Sequence, residues 1–210
     1  MKKSLLAVLL AVALVAPAFA AKGDMSVNAK LGFGVNNSFS MFLDGISGPT
    51  EMKDQYTKYK MEMPVSLGAE FFYGVIDNLS VGFGVNYGFD SKIKNKDAFP
   101  LKMGTTNIYA AVKPEAKIDS NIFSSIYLIG QIGLAMGRAE IDGSGAPSLT
   151  VNSGLYLGFG FGTTIKDCVI VEVVCSSANL TLDKGAMHLP KDMDIQYTAT
   201  TINVGYKFNI

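Results

Sequence analysis

The chain has 210 residues, 49% of them hydrophobic and 17% charged, with 18 basic and 18 acidic side chains. That length suits one domain, and a charge balance near zero offers no field for a polyanion, so nucleic acid is excluded as an expected partner. Glycine is abundant at 22, nine Tyr and thirteen Phe supply the aromatics, and there is no Trp.

Lys2 and Lys3 precede an unbroken apolar run from Leu5 to Val15, and Ala18 and Ala20 stand where a signal peptidase reads small residues. The pattern predicts a cleaved secretory signal over residues 1–20, too short to span a bilayer, and a mature chain starting at Ala21. A lipid-modified start would need Cys at residue 21, which is Ala. Removal of Lys2 and Lys3 leaves a net charge of −2. No later run reaches the ~18 apolar residues of a transmembrane helix.

The mature chain is dominated by a period of two, the mark of half-buried strands. Segments 24–35, 61–73, 79–89, 153–162 and 197–210 alternate large apolar residues with Gly, Ser, Asn, Thr, Tyr and a few charges. Segments 105–113 and 126–136 alternate less cleanly. Segment 168–176 is apolar on both faces except at Glu172, which sets Val169, Val171 and Val173 on the opposite side. Eight antiparallel strands are therefore predicted.

The apolar face carries no charge in these registers, while the other face holds Lys30, Glu62, Glu70, Lys113, Glu172 and Lys207. A soluble barrel would turn its apolar face inward and leave a glycine-rich face to cover the outside. Small polar residues suit a narrow lumen, and large apolar ones suit lipid. The expected fold is an all-β, eight-stranded antiparallel up-and-down transmembrane barrel over residues 21–210, closed because a bilayer tolerates no unpaired edge. Its long connections, 36–60, 90–102, 137–150 and 177–195, fall at one end. Tyr73, Tyr87, Phe89, Tyr206 and Phe208 fit aromatic girdles at the two interfaces.

With these features the sequence resembles the small outer-membrane β-barrel family, the group around the OmpA membrane domain and the OmpX/Ail-type surface proteins. The most specific part is the C-terminus, where Asn203, Gly205, Phe208 and Ile210 resemble the signal read by barrel-assembly machinery. Family members often end in Phe, and this chain ends in Ile210. The resemblance implies residence in the bacterial outer membrane, outer-membrane lipid as surroundings, and assembly machinery with periplasmic chaperones as transient partners.

The six inward charges allow two readings, a gated polar pore or a salt-bridged plug. An eight-stranded barrel is only wide enough for its own side chains, and buried charges must pair, so the plug is preferred. Lys30, Glu70 and Glu172 lie at similar heights, Lys113 and Lys207 lower, and Glu62 higher. In the first long connection Met41, Phe42, Leu43 and Ile46 are apolar among charges. They are expected either to pack on the barrel rim or to contact a surface protein ligand.

His188 is the only histidine, and it stands in the last long connection across from Ser176 and Ser177. A Ser–His lipid-modifying enzyme would need an orienting acid and an enforced geometry, and no motif provides them. Gly158, Gly160 and Gly162 lack the spacing and helix of a dinucleotide loop. Asp183, Asp192 and Asp194 have no metal-ligand spacing, so no metal or cofactor is expected. Cys168 and Cys175, seven residues apart on one strand, would sit roughly 23 Å apart and cannot pair with each other. The reading is thus a structural or surface-interaction protein acting through external loops, without catalysis. Its alternatives are a small porin-like pore and, further off, a lipid-modifying enzyme.

Overall fold

The computed structural model describes residues 23–42, 57–94, 101–118, 120–141, 148–149, 151–183 and 193–210. The predicted signal segment, Leu43, Ile46 and His188 lie outside these residues, as do the side chains of Met41 and Phe42. Among the described residues there are twelve strands and no helix. Eight are long: β1 (Met25–Phe42), β3 (Val65–Ile76), β4 (Leu79–Gly88), β6 (Leu101–Lys117), β7 (Phe123–Ile141), β10 (Gly154–Ile165), β11 (Val169–Leu182) and β12 (Met193–Asn209). Four are short: β2 (Thr57–Lys60), β5 (Ser91–Lys92), β8 (Ser148–Leu149) and β9 (Val151–Asn152).

Each long strand pairs antiparallel with its neighbours in chain order, and β1 pairs with β12 from Ser26–Asn209 to Phe42–Asp194, which closes the ring. Tight turns join β3 to β4 and β10 to β11 at the end where β1 starts and β12 finishes, called the lower end below. In the second turn Lys166 and Asp167 both have positive φ, 48° and 59°. The Cys168 N–H donates to the Ile165 carbonyl at 3.2 Å across that pair of left-handed residues, a tight turn whose twist matches the flanking strands.

Outward positions through the middle of the barrel are large and apolar, among them Leu67, Phe83, Ile108, Ile132, Phe159 and Val204, all exposed. A band of this kind, without charges, is what hydrocarbon requires of a barrel wall. The ladder between β6 and β7 lapses at Lys113 and Pro114, since proline has no N–H to donate, and resumes in the same register at Glu115–Tyr127.

The strands run further than their sequence pattern suggested. β1 continues to Phe42, where a connection from residue 36 was expected, and β12 starts at Met193 rather than 197. A bulge between Gly34 and Asn36 explains the first difference. It inserts Val35 as an extra residue, which bends the strand and shifts its parity, so Phe39 points inward although Phe33 points outward. Met41 and Phe42 accordingly belong to the end of a strand, not to a free loop.

A second break corrects segment 61–73. β3 starts only at Val65, after Pro64, and Met61 forms an isolated bridge with Ile93. Met61 is buried, against the outward position predicted for it. Glu62 is exposed, against the inward position predicted for it. Parity slips by one between the two strand pieces, and a one-residue slip exchanges the faces.

Above the lipid-facing band the two faces invert. Inward positions there are apolar and nearly fully buried: Phe39, Leu101, Met103, Leu180, Leu182 and Ile195. Phe39 stacks on Tyr59 with ring centroids 5.1 Å apart. The outward neighbours Lys102, Glu140, Asn179, Thr181, Asp194 and Gln196 are polar. The upper barrel thus has an apolar inside and a wet outside, and it projects beyond the hydrocarbon.

Candidate functional site

The lumen is built in three strata. The middle one centres on Lys30 of β1, whose Nζ lies 2.6 Å from Glu70 Oε1 of β3 and 2.7 Å from Glu172 Oε1 of β11. All three side chains are buried. Two carboxylates against one ammonium leave negative charge to be satisfied by neutral donors. Tyr109 OH donates to Glu70 at 2.9 Å, and Gln131 Nε2 and Asn28 Nδ2 donate to it at 3.3 Å each. Asn203 Nδ2 donates to Glu172 at 2.9 Å and Tyr127 OH at 3.2 Å. Tyr156 OH donates to Gln131 Oε1 at 2.8 Å, which fixes the amide. These donors take the place of water, the condition under which a charge tolerates a dry interior.

Glycines make room for the tyrosines. A Cβ on Gly84 of β4 would come within 2.8 Å of both the Tyr109 ring and Glu70, and one on Gly162 of β10 within 2.6 Å of the Tyr127 ring. With Gly84, every one of the eight long strands supplies a residue to this stratum. The space left among Lys30, Asn86, Tyr156 and Asn203 is about 30 Å³, room for a single water.

The upper stratum is the apolar plug already described. The lower one is a cavity of about 750 Å³ open at the lower end and lined by Lys113, Glu115, Ser125, Thr164, Lys207 and Asn209. Lys113 Nζ lies 3.3 Å from Glu115 Oε2 and sits over the rings of Phe72 and Tyr127, at 4.7 and 5.1 Å. Ser125 Oγ donates to the same Glu115 carboxylate.

Of the six charges picked out by parity, Lys30 contacts both Glu70 and Glu172, while Lys113 sits below them and pairs with Glu115. Lys207 is half-buried in the lower cavity. Glu62 stands apart at the surface, held by its backbone to Ser91 and Lys92. Glu62→Gln should therefore shift the unfolding midpoint within about ±0.5 kcal/mol, whereas Glu70→Gln should cost about 2 kcal/mol through its charge-assisted bonds. Denaturant titration in vesicles compares the two.

The C-terminal residues that resemble an assembly signal also have places in the finished barrel. Asn203 holds Glu172, and a Cβ on Gly205 would press to 2.8 Å from Lys30 Cγ and 2.4 Å from Ala29 O. Phe208 packs outward against Tyr206 at 4.7 Å between centroids. Sequence reasoning passed over Tyr109, Tyr127, Tyr156, Gln131, Asn28 and Glu115. All six share the inward parity of the charges beside them, and Glu115 follows Lys113 by two residues. Cys168 and Cys175 are both free thiols. Among the described residues no three His, Cys, Asp or Glu gather as a metal site.

The sequence matches the outer membrane protein beta-barrel domain over residues 5–208. The solid-state NMR structure of outer membrane protein AlkL in DMPC bilayers is similar, with a TM-score of 0.52 at 12% identity, over 90% of each chain. Ail, the attachment invasion locus protein of Yersinia pestis, in complex with the heparin analogue sucrose octasulfate, gives a TM-score of 0.51 at 13% identity, over 89% of this chain and 100% of that one. OprG from Pseudomonas aeruginosa gives 0.50 at 15%, over 89% and 96%. Identities this low carry the fold alone. No curated protein matches the sequence.

Proposed function

The chain belongs to the family of outer-membrane β-barrel domains and resides in the bacterial outer membrane, and from that premise we propose that it is a non-catalytic surface-interaction barrel. In this reading the working surface is the part that projects outward, not the lumen. What supports it is the filled interior: side chains from all around the ring close the middle stratum, and an apolar plug closes the one above. A barrel built this way gives a solute no path and leaves its outer rim to do the work. Ail, named for attachment, has a barrel of the same fold.

The proposal includes export through cleavage before Ala21 and insertion by assembly machinery with chaperone escort, guided by Asn203, Gly205, Phe208 and Ile210. It also includes contact of a surface protein with Met41, Phe42, Leu43 and Ile46, the first two of which end β1. The deciding experiment is a single-channel recording on the purified barrel in planar bilayers. The expected trace has no discrete open levels. Well-defined open levels would overturn the proposal in favour of a small pore.

A further inference from the structure

The lower cavity, about 750 Å³, opens at the end with the short turns, which is the periplasmic side of an outer-membrane barrel. Its charges are layered. The mouth is lined by Asp24 before β1, Asp77 in the turn after β3, Asp167 in the turn after β10 and Lys117 at the end of β6, all exposed. Lys166 shares a turn with Asp167 but does not line the cavity. None of the three carboxylates has an ion-pair partner among the described residues, so the mouth is negative.

Deeper in, the balance reverses. Lys113 and Lys207 line this part against one carboxylate, Glu115, which is already held by Lys113 at 3.3 Å and by the Ser125 hydroxyl. Lys207 is half-buried, within electrostatic reach of both Lys113 and Glu115, and without an ion-pair partner among the described residues. An ammonium in a narrow lumen calls for an anion. A neutral donor adds to it. Thr164 lines the cavity at 1% exposure, and its Oγ1 has no hydrogen-bond partner. Hydroxyls this buried are normally paired, and Ser125, opposite Thr164 in the ladder, is committed to Glu115.

The two layers are a definite distance apart. Lys113 stands four residues above Lys117 on β6, and Lys207 lies opposite Asn28, four residues above Asp24. Four residues of a strand tilted ~45° rise roughly 9 Å. An extended tripeptide, at ~3.3–3.6 Å per residue, separates its terminal ammonium and carboxylate by about 10 Å. Lys113 is kept at its depth by the rings of Phe72 and Tyr127. Val75 and Ile76, both exposed, give the mouth an apolar lip.

We infer that the lower cavity binds a short zwitterionic peptide, about three residues long, with its carboxylate inward. The carboxylate rests on Lys207 and accepts a hydrogen bond from Thr164. The ammonium meets Asp24, Asp77 and Asp167 at the mouth. The outer rim has no part in this site, which stands whether or not that rim binds a surface protein.

Calorimetric titration of the folded full-length barrel in detergent uses trialanine, dialanine, trialanine amide, N-acetyl-trialanine and glycerophosphoethanolamine. Trialanine should bind, and its affinity should fall with salt. Dialanine, too short to reach both layers, and the two blocked tripeptides should each bind about tenfold more weakly. Lys207→Gln should weaken trialanine about tenfold and leave trialanine amide unchanged, because the amide offers no carboxylate. Thr164→Val should weaken trialanine about threefold while the unfolding midpoint stays the same or rises, since an unpartnered buried hydroxyl does not hold the fold together. Lys60→Gln, at the opposite end, should leave binding unchanged. A heat-shifted band in SDS confirms that each variant is folded. Absence of trialanine binding, equal binding of trialanine and its amide, or equal weakening by Lys207→Gln and Lys60→Gln overturns the inference. So does tighter binding of glycerophosphoethanolamine, which would assign the cavity to a lipid headgroup.

Discussion

Lys30→Met is expected to destabilise the folded barrel by about 3–5 kcal/mol, the cost of leaving a buried ionic cluster without one partner. Methionine keeps the length of the lysine stem and its packing beside Gly205, so the change isolates the ammonium. Glu70 and Glu172 then share a dry stratum with only neutral donors around them. Urea titration in vesicles, read by the heat-shifted band, gives the midpoint. The informative comparison is the triple variant Lys30→Met, Glu70→Gln, Glu172→Gln. It removes every charge from the stratum while the tyrosine and amide donors keep oxygen acceptors. Replacing a whole buried ionic set is often neutral or favourable, where removal of one member is not. The triple variant should recover most of the lost stability. A single variant that loses less than about 1 kcal/mol, the worth of an exposed pair, would show that the cluster is solvated and the lumen wet.

How much of this was legible in the sequence depended on which half of the barrel was being read. In the bilayer the two faces obey opposite rules, large and apolar outward, small or polar inward. Alternation therefore located the eight long strands and placed Lys30, Glu70 and Glu172 on one face. The tyrosines of that stratum were on the same face in the same segments, yet nothing in a period of two says that Tyr109 will reach over β4 to Glu70. That contact depends on Gly84, which lies on β4 directly between the two and leaves space for the ring. Above the hydrocarbon the rules exchange. Leu101, Met103, Leu180, Leu182 and Ile195 alternate with polar residues as they would in any strand, but with the parity of a soluble barrel. Read with the membrane rule, they looked like connections. The bulge at Val35 and the break at Pro64 each shift parity by one, which hid the continuity of β1 and misplaced Met61 and Glu62.

The inversion itself has a decisive test at two adjacent residues of β12. Ile195 is buried in the upper plug, and Gln196 faces outward at the same height. Ile195→Asp should cost more than about 4 kcal/mol, because it places an unpaired carboxylate among Phe39, Leu180 and Leu182. Gln196→Asp should stay within about ±0.5 kcal/mol, as surface exchanges in water do. If this part of the wall lay in lipid with the predicted parity, the order would reverse, since an aspartate at residue 196 would then face hydrocarbon. Ile195→Val guards against a variant that does not fold. It should lose about 1 kcal/mol for its missing methylene in a close-packed site, and a loss near zero would mean that the plug is loose. A tight plug makes the upper barrel a rigid stalk. The outer rim is then presented above the headgroups as a fixed surface, which is what the proposed surface-interaction role requires.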